Sequence, residues 1–170
     1  MSLPRITFGI IVLNNEPFTR YLLRQIYSFA HQIIAVEGAT EHASHVCSVT
    51  GHSIDGTLDV LKEFQKEEDA EGKLVVVTAE DEGRENGFWP GEKDEMSRAY
   101  AKRATGDWLW QVDGDECYRS EDMRQICRIL EEEPDIATIS FPAYNFWGSP
   151  DYWIDGYAMR GTQVSGHCNR

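Results

Sequence analysis

The chain has 170 residues, with 29 acidic against 16 basic side chains and a formal net charge of -13 at pH 7. That length is one ordinary domain with room for a substantial core, and that charge repels nucleic-acid backbones and anionic lipid surfaces. A small polyanion such as a nucleotide stays compatible, because a bound cation reverses the local sign.

No basic segment followed by an apolar stretch opens the chain, and no apolar run approaches the roughly 18 residues of a membrane span. The sequence therefore reads as soluble and cytoplasmic, without a membrane span. Cys47, Cys117, Cys127 and Cys168 are scattered with no CxxC pair, so reduced thiols are expected and not a disulfide framework. His42, His45, Cys47 and His52 crowd one loop. They are ligand types that zinc can use, but no second closely spaced pair accompanies them and a polar loop is the preferred reading.

Ile6 to Leu13, ITFGIIVL, is a nearly continuous apolar run rich in branched residues, which predicts a strand covered on both faces, as in parallel sheets. After Asn14, Asn15 and Glu16, Pro17 suits the first turn of a helix, where its missing N–H is no loss. Phe18, Tyr21, Leu22, Ile26 and Phe29 follow at helical spacing and predict one apolar stripe laid on the sheet. Ile33 to Val36 is a second strand, with Glu37 and Gly38 at its end. Ligand crevices in open parallel sheets lie beyond the carboxyl ends of strands, so Glu37 is a candidate for gripping a base or ribose, against the plainer reading of an exposed loop acid.

A polar loop from Ala39 to Ser53 leads to Ile54, Asp55, Gly56 and Thr57. Asp55 can cap the helix in which Leu58, Leu61 and Phe64 recur. Leu74 to Thr78 predicts a third strand. The Gly-rich, charged loop after it carries Phe88 and Trp89, which either face an active-site edge or fold back over the core. Met96, Ala99, Tyr100, Arg103 and Ala104 then mark a helix, followed by a turn at Thr105 and Gly106 and a buried strand from Trp108 to Val112.

That strand ends in Asp113, Gly114, Asp115 and Glu116. Side chains two apart in a strand share a side, so Asp113 and Asp115 are expected to present their carboxylates together, with Gly114 removing bulk between them. Paired carboxylates suit a hard divalent cation such as magnesium or manganese, which can in turn hold a diphosphate. The plainer reading is a polar turn, since Asp and Gly favour turns for backbone reasons. Ser120 is expected to cap a helix carrying Met123, Ile126, Cys127 and Leu130, with Pro134 just past its end. Asp135 to Phe141 predicts another strand, and PAYNFWGSPDYW follows it. Trp147, Tyr152 and Trp153 either stack on a sugar ring or pack at a rim. Alternation of strands and helices predicts one α/β domain, a mostly parallel sheet flanked by helices.

The ordered motifs resemble the family 2 glycosyltransferases, across roughly Arg5 to Phe146. IIVLNNEPF carries the Asn-Glu near the first helix, VEGAT and SIDGT are similar to the second-strand acid and its Asp-Gly-Thr segment, and ATGDWLWQVDGDE matches the helix end, strand and Asp-x-Asp. Glu37 stands where an aspartate is common, Arg98 where the helix often carries an asparagine, and the 39–53 loop is longer than usual. The resemblance implies the Rossmann-like GT-A nucleotide-sugar-binding fold. It implies transfer of a sugar from a nucleoside diphosphate donor to an acceptor hydroxyl of a saccharide, lipid or protein, with inversion. It places Mn2+ or Mg2+ on Asp115 with Asp113, and the nucleotide-sugar against Glu37, Asp55 and Asp113. The family's general base lies well downstream of Asp-x-Asp. Residues 1–170 are therefore expected to be a single GT-A-like domain truncated on its acceptor and general-base side, with Asp151 and Asp155 as the available acids and no catalytic residue assigned. A non-catalytic nucleotide-sugar-binding or scaffold module of a larger protein is the alternative. A nucleotidyltransferase is disfavoured, because NNEPF is neither basic nor glycine-rich.

Overall fold

The computed structural model describes residues 4–133, 135–154 and 164–169. Four parallel strands form its centre: β1 (Ile6–Val12), β2 (Ala30–Glu37), β3 (Leu74–Val77) and β4 (Trp108–Asp113). β5 (Thr138–Pro142), β6 (Phe146–Trp147), β7 (Ser149–Trp153) and β8 (Val164–Asn169) follow. The main sheet has the order β3-β2-β1-β4-β8-β5, and β6 and β7 form a separate antiparallel pair. The helices are α1 (Thr19–Tyr27), α2 (Thr57–Glu67), α3 (Lys93–Ala101) and α4 (Ser120–Glu132).

The period of two along β1 and β4 sorts two cores. Ile6, Phe8, Ile10 and Val12, with Trp108, Trp110 and Val112, are packed with Leu22, Leu23 and Ile26 of α1, Leu61 and Phe64 of α2, and Met123, Ile126 and Leu130 of α4. Ile34, Val36 and Val77 meet Met96, Ala99 and Tyr100 of α3 on the other face. Each fully buried aliphatic side chain contributes about 1.5–3 kcal/mol over its exposed state, so the sheet is held from both sides. Gly9 lets α3 approach closely, since a Cβ there would sit 2.6 Å from the Tyr100 ring.

Several expectations need correcting. Pro17 lies in the turn before α1, whose first residue is Thr19. The α1 stripe is rotated: Leu23 is buried, whereas Tyr21 and Phe18 are 63% and 47% exposed. Ser120 is already helical and makes no capping hydrogen bond, and Arg103 and Ala104 lie past the end of α3. Pro134 lies outside the described residues. The sheet has a sixth strand, β8, inserted antiparallel between β4 and β5 so that Cys168 pairs with both Trp110 and Ile139. Trp89 folds back and is buried in the second core. No helix among the described residues is long and apolar enough to cross a membrane.

Candidate functional site

The carboxyl ends of β1, β2 and β4 come side by side, with Ile11 level with Asp113 and Val12 level with Glu37. Beyond them opens a cleft of about 600 Å³, the size of ordinary small-ligand sites. Its floor is the end of β1 through Asn14, Asn15 and Glu16. One wall comes from Gly38, Thr40 and Ala43, another from Lys93 and Met96 of α3, and a third from Asp113, Gly114 and Asp115.

Asp113 and Asp115 both border this cleft and are both exposed. The reason differs from strand alternation, because β4 stops at Asp113 and the next two residues form a turn. That turn is closed by the Glu116 N–H donating to the Asp113 carbonyl at 3.1 Å. Asn15 Nδ2 donates to the Gly114 carbonyl at 3.0 Å and to Thr19 Oγ1 at 3.1 Å, fastening the turn to the end of β1. A Cβ on Gly114 would lie 2.5 Å from Asn15 Oδ1, so the close approach requires glycine there.

Glu116 does not join the pair in the cleft. Its Oε2 accepts the Tyr118 hydroxyl at 2.5 Å and the Asp113 N–H at 3.3 Å. Burial pushes its carboxyl above the usual range, opposed by the Tyr118 hydrogen bond and reinforced by the charges of Asp113 and Asp115. Burial likewise raises the Tyr118 phenol, which keeps it a proton donor to Glu116.

Two carboxylates with no third close ligand match the way magnesium-type ions are held, by one or two protein carboxylates with ligand phosphate oxygens and water completing the shell. Among the described residues no group of three or more His, Cys, Asp or Glu side chains could hold a metal by itself, and the donor set fits a cation that arrives with a phosphorylated ligand. The same result removes the His42, His45, Cys47 and His52 loop as a zinc centre. His52 instead lies between Glu37 and Glu80, at 2.8 and 3.1 Å.

Glu37 and Asp55, both expected against the nucleoside, do not border the cleft. Glu37 is fully buried. Asp55 accepts the Thr57 N–H at 3.0 Å, the Thr57 hydroxyl at 2.7 Å and the Glu16 N–H at 2.9 Å. Gly56, not Asp55, is the N-cap residue of α2, and Asp55 holds Thr57, the first residue of the helix, and ties it to the cleft floor. Burial alone would raise its pKa, but these hydrogen bonds outweigh burial and hold it below the usual carboxylate value.

Sequence reasoning missed Lys93, the basic side chain on the cleft wall at the first turn of α3. Its signal was a lone cation among the acids of GEKDE, just before a helix. Asp151 hydrogen-bonds Ser149 in the β6–β7 hairpin and does not border the cleft, and Asp155 lies outside the described residues. Trp147, Tyr152 and Trp153 are 73%, 69% and 54% exposed on that hairpin and also stand apart from the cleft.

A mostly parallel sheet flanked by helices, with its cleft across the carboxyl ends of β1 and β4, is Rossmann-like, and the solved structures it superimposes on identify the fold as GT-A. The likeness to particular solved structures is as follows. The chain superimposes on TarS of S. aureus with a TM-score of 0.57 at 15% identity, covering 86% of this chain and 38% of that one. Against glucosyl-3-phosphoglycerate synthase from Mycobacterium tuberculosis in complex with uridine diphosphate, the TM-score is 0.57 at 15% identity, covering 98% of this chain and 56% of the other. Against the complex of that synthase with Mn2+, uridine diphosphate and glucosyl-3-phosphoglycerate, it is 0.53 at 15% identity, covering 79% and 42%. The chain thus spans between 38% and 56% of the length of these structures. No family model and no curated protein matches it. At this identity the shared property is the fold, which hosts several chemistries.

Proposed function

We propose that this domain binds a nucleoside diphosphate sugar with a divalent cation and transfers the sugar, with inversion, to an acceptor hydroxyl. The observation that carries the reading is the convergence of Asp113, Asp115 and Lys93 on one cleft at the carboxyl ends of the sheet. Asp115, with Asp113, would hold Mn2+ or Mg2+, and the bound cation would neutralise charge developing on the diphosphate leaving group. Lys93, on the wall of the same cleft, would supply a second positive charge for a bound diphosphate. Asn14 and Asn15 shape the floor, since their amides are held by Val46, Ile54, Gly114 and Thr19. In the transfer, the acceptor oxygen forms its bond to the anomeric carbon as the bond to the diphosphate oxygen breaks, and the hydroxyl proton passes to a carboxylate base. No described residue is assigned that last role.

The neighbours' ligands support this reading, since one is a complex with uridine diphosphate and another also holds Mn2+. Isothermal titration with uridine, guanosine and adenosine diphosphates, with and without manganese, tests it. Manganese-dependent binding is expected, weakened at least about tenfold in Asp115→Asn through loss of a charge-assisted ligand, with no change in melting temperature because the side chain is exposed. Absence of metal-dependent binding to the wild type would refute the proposal. A second reading, a non-catalytic nucleotide-sugar-binding module, is favoured by one observation: Asp151, the described acid considered as base, does not border the cleft. Donor binding without any transfer or hydrolysis in the full-length protein would select it.

A further inference from the structure

Glu37 is the last residue of β2. Its side chain has no exposed surface, and it does not border the cleft although Gly38, the next residue, does. A buried carboxylate requires paired or hydrogen-bonded oxygens, and both of these are engaged. Oε1 accepts the Ser53 N–H at 2.7 Å, and Oε2 lies 2.8 Å from His52 Nδ1. The opposite ring nitrogen of His52 is 3.1 Å from Glu80 Oε1, so the imidazole bridges the end of β2 and the segment that follows β3.

The contacts run on from there to the cleft floor. Ser53 Oγ accepts the Asn14 N–H at 2.9 Å, and the Ile54 N–H donates to Asn14 Oδ1 at 2.8 Å. Asn14 Nδ2 donates to the Val46 carbonyl at 2.5 Å. Asn14 lines the cleft and holds a φ of 50°, a left-handed backbone that asparagine adopts more readily than most residues. The wall is tied to the same loop, because the Ala39 N–H donates to the Gly51 carbonyl at 2.7 Å.

We infer that Glu37 and His52 are a pair of positioning residues that sets Asn14 and the Gly38–Thr40 wall of the cleft, in place of a direct contact between Glu37 and the nucleoside. The inference rests on the nucleotide-binding reading for its ligand readout, but not for its structural one. Its test uses Glu37→Met, His52→Ala and the double variant of the full chain, the His52 variant serving if the Met substitution fails to fold. Two measurements are made on each: affinity for uridine, guanosine and adenosine diphosphates with manganese, and amide hydrogen exchange at Ser53 and Ile54.

Each single variant is expected to weaken every diphosphate that the wild type binds by one common factor of about three to ten, from lost hydrogen bonds to a charged group felt indirectly. The double variant is expected to be no weaker than the worse single one, as members of one unit are not additive. Exchange at Ser53 and Ile54 is expected to quicken in both. His52→Asn, whose amide nitrogen can stand where Nδ1 does, is expected to restore most of the affinity and protection. A changed ranking of the bases in Glu37→Met, with His52→Ala binding as the wild type does, would assign Glu37 to the nucleoside and overturn the inference. So would unchanged exchange in His52→Ala. If the wild type binds none of the diphosphates, the proposed function falls, while the exchange comparison still decides this inference.

Discussion

Replacing Gly114 by alanine tests how the Asp-Gly-Asp turn is held. The added Cβ would stand 2.5 Å from Oδ1, 2.6 Å from Cγ and 2.7 Å from Nδ2 of Asn15. Asn15 has little freedom to yield, because its amide donates to Gly114 and Thr19 and its backbone N–H donates to Thr57 Oγ1 at 2.8 Å. Relief requires either the Asn15 side chain to swing out, losing two hydrogen bonds, or the turn to shift and carry Asp113 and Asp115 with it. Two hydrogen bonds at about 0.5–1.5 kcal/mol each give roughly 1–3 kcal/mol. For a chain of this size that is a fall of roughly 2–12 °C in melting temperature. Differential scanning calorimetry reads it directly. Asn15→Ala removes both the obstruction and the bonds, so the double variant should melt where Asn15→Ala alone does. Gly114→Ala melting at the wild-type temperature, or the two effects simply adding, would refute the reasoning.

A pH series isolates Asp55. Because its folded pKa is lowered, the ionised carboxylate stabilises the fold in full above its unfolded value of about 3.9, and that contribution is lost as pH falls through the lower folded value. The melting-temperature gap between wild type and Asp55→Asn should therefore be widest near neutrality and close as the pH drops below about 4; a gap constant with pH would argue against the hydrogen bonds as its source. Native alkylation at pH 8 should label Cys117 and Cys47 only. Burial pushes the Cys127 thiol up to about 11 and the Cys168 thiol to about 12, the latter with a contribution from Cys127. Labelling of native Cys168, read by mass spectrometry, would mean that β8 is not seated between β4 and β5. Gly51→Ala combines a φ of +77° with a Cβ 2.2 Å from the Gly87 carbonyl oxygen. The Gly87 and Phe88 atoms it would meet are all backbone, so it should cost more than about 2 kcal/mol in urea unfolding, and a stable variant would refute the packing of the two loops.

The parallel centre of the fold was legible in the sequence because its causes are local. Branched apolar runs such as ITFGIIVL suit strands covered on both faces, as in a parallel sheet, and Met123, Ile126, Cys127 and Leu130 recur with the period that buries a helix on it. Asp113 and Asp115 were legible as two acids at a strand end, and both border the cleft. What spacing did not determine was how each acid is used. Asp113 and Asp115 share the cleft through a turn pinned by Asn15, a residue 99 positions from Gly114. Glu37 looked like a free acid at a strand tip, yet Ser53 and His52, brought back by the 39–53 loop, enclose it. β8 carries no strand period, and pairing with Trp110 and Ile139 creates it. Periodicity records which face of an element is buried. The partner that meets a polar group is chosen only when distant segments close on one another, and that closure put Lys93 and Asn14 along the cleft while engaging Glu37 with Ser53 and His52, and Asp55 with Thr57 and Glu16.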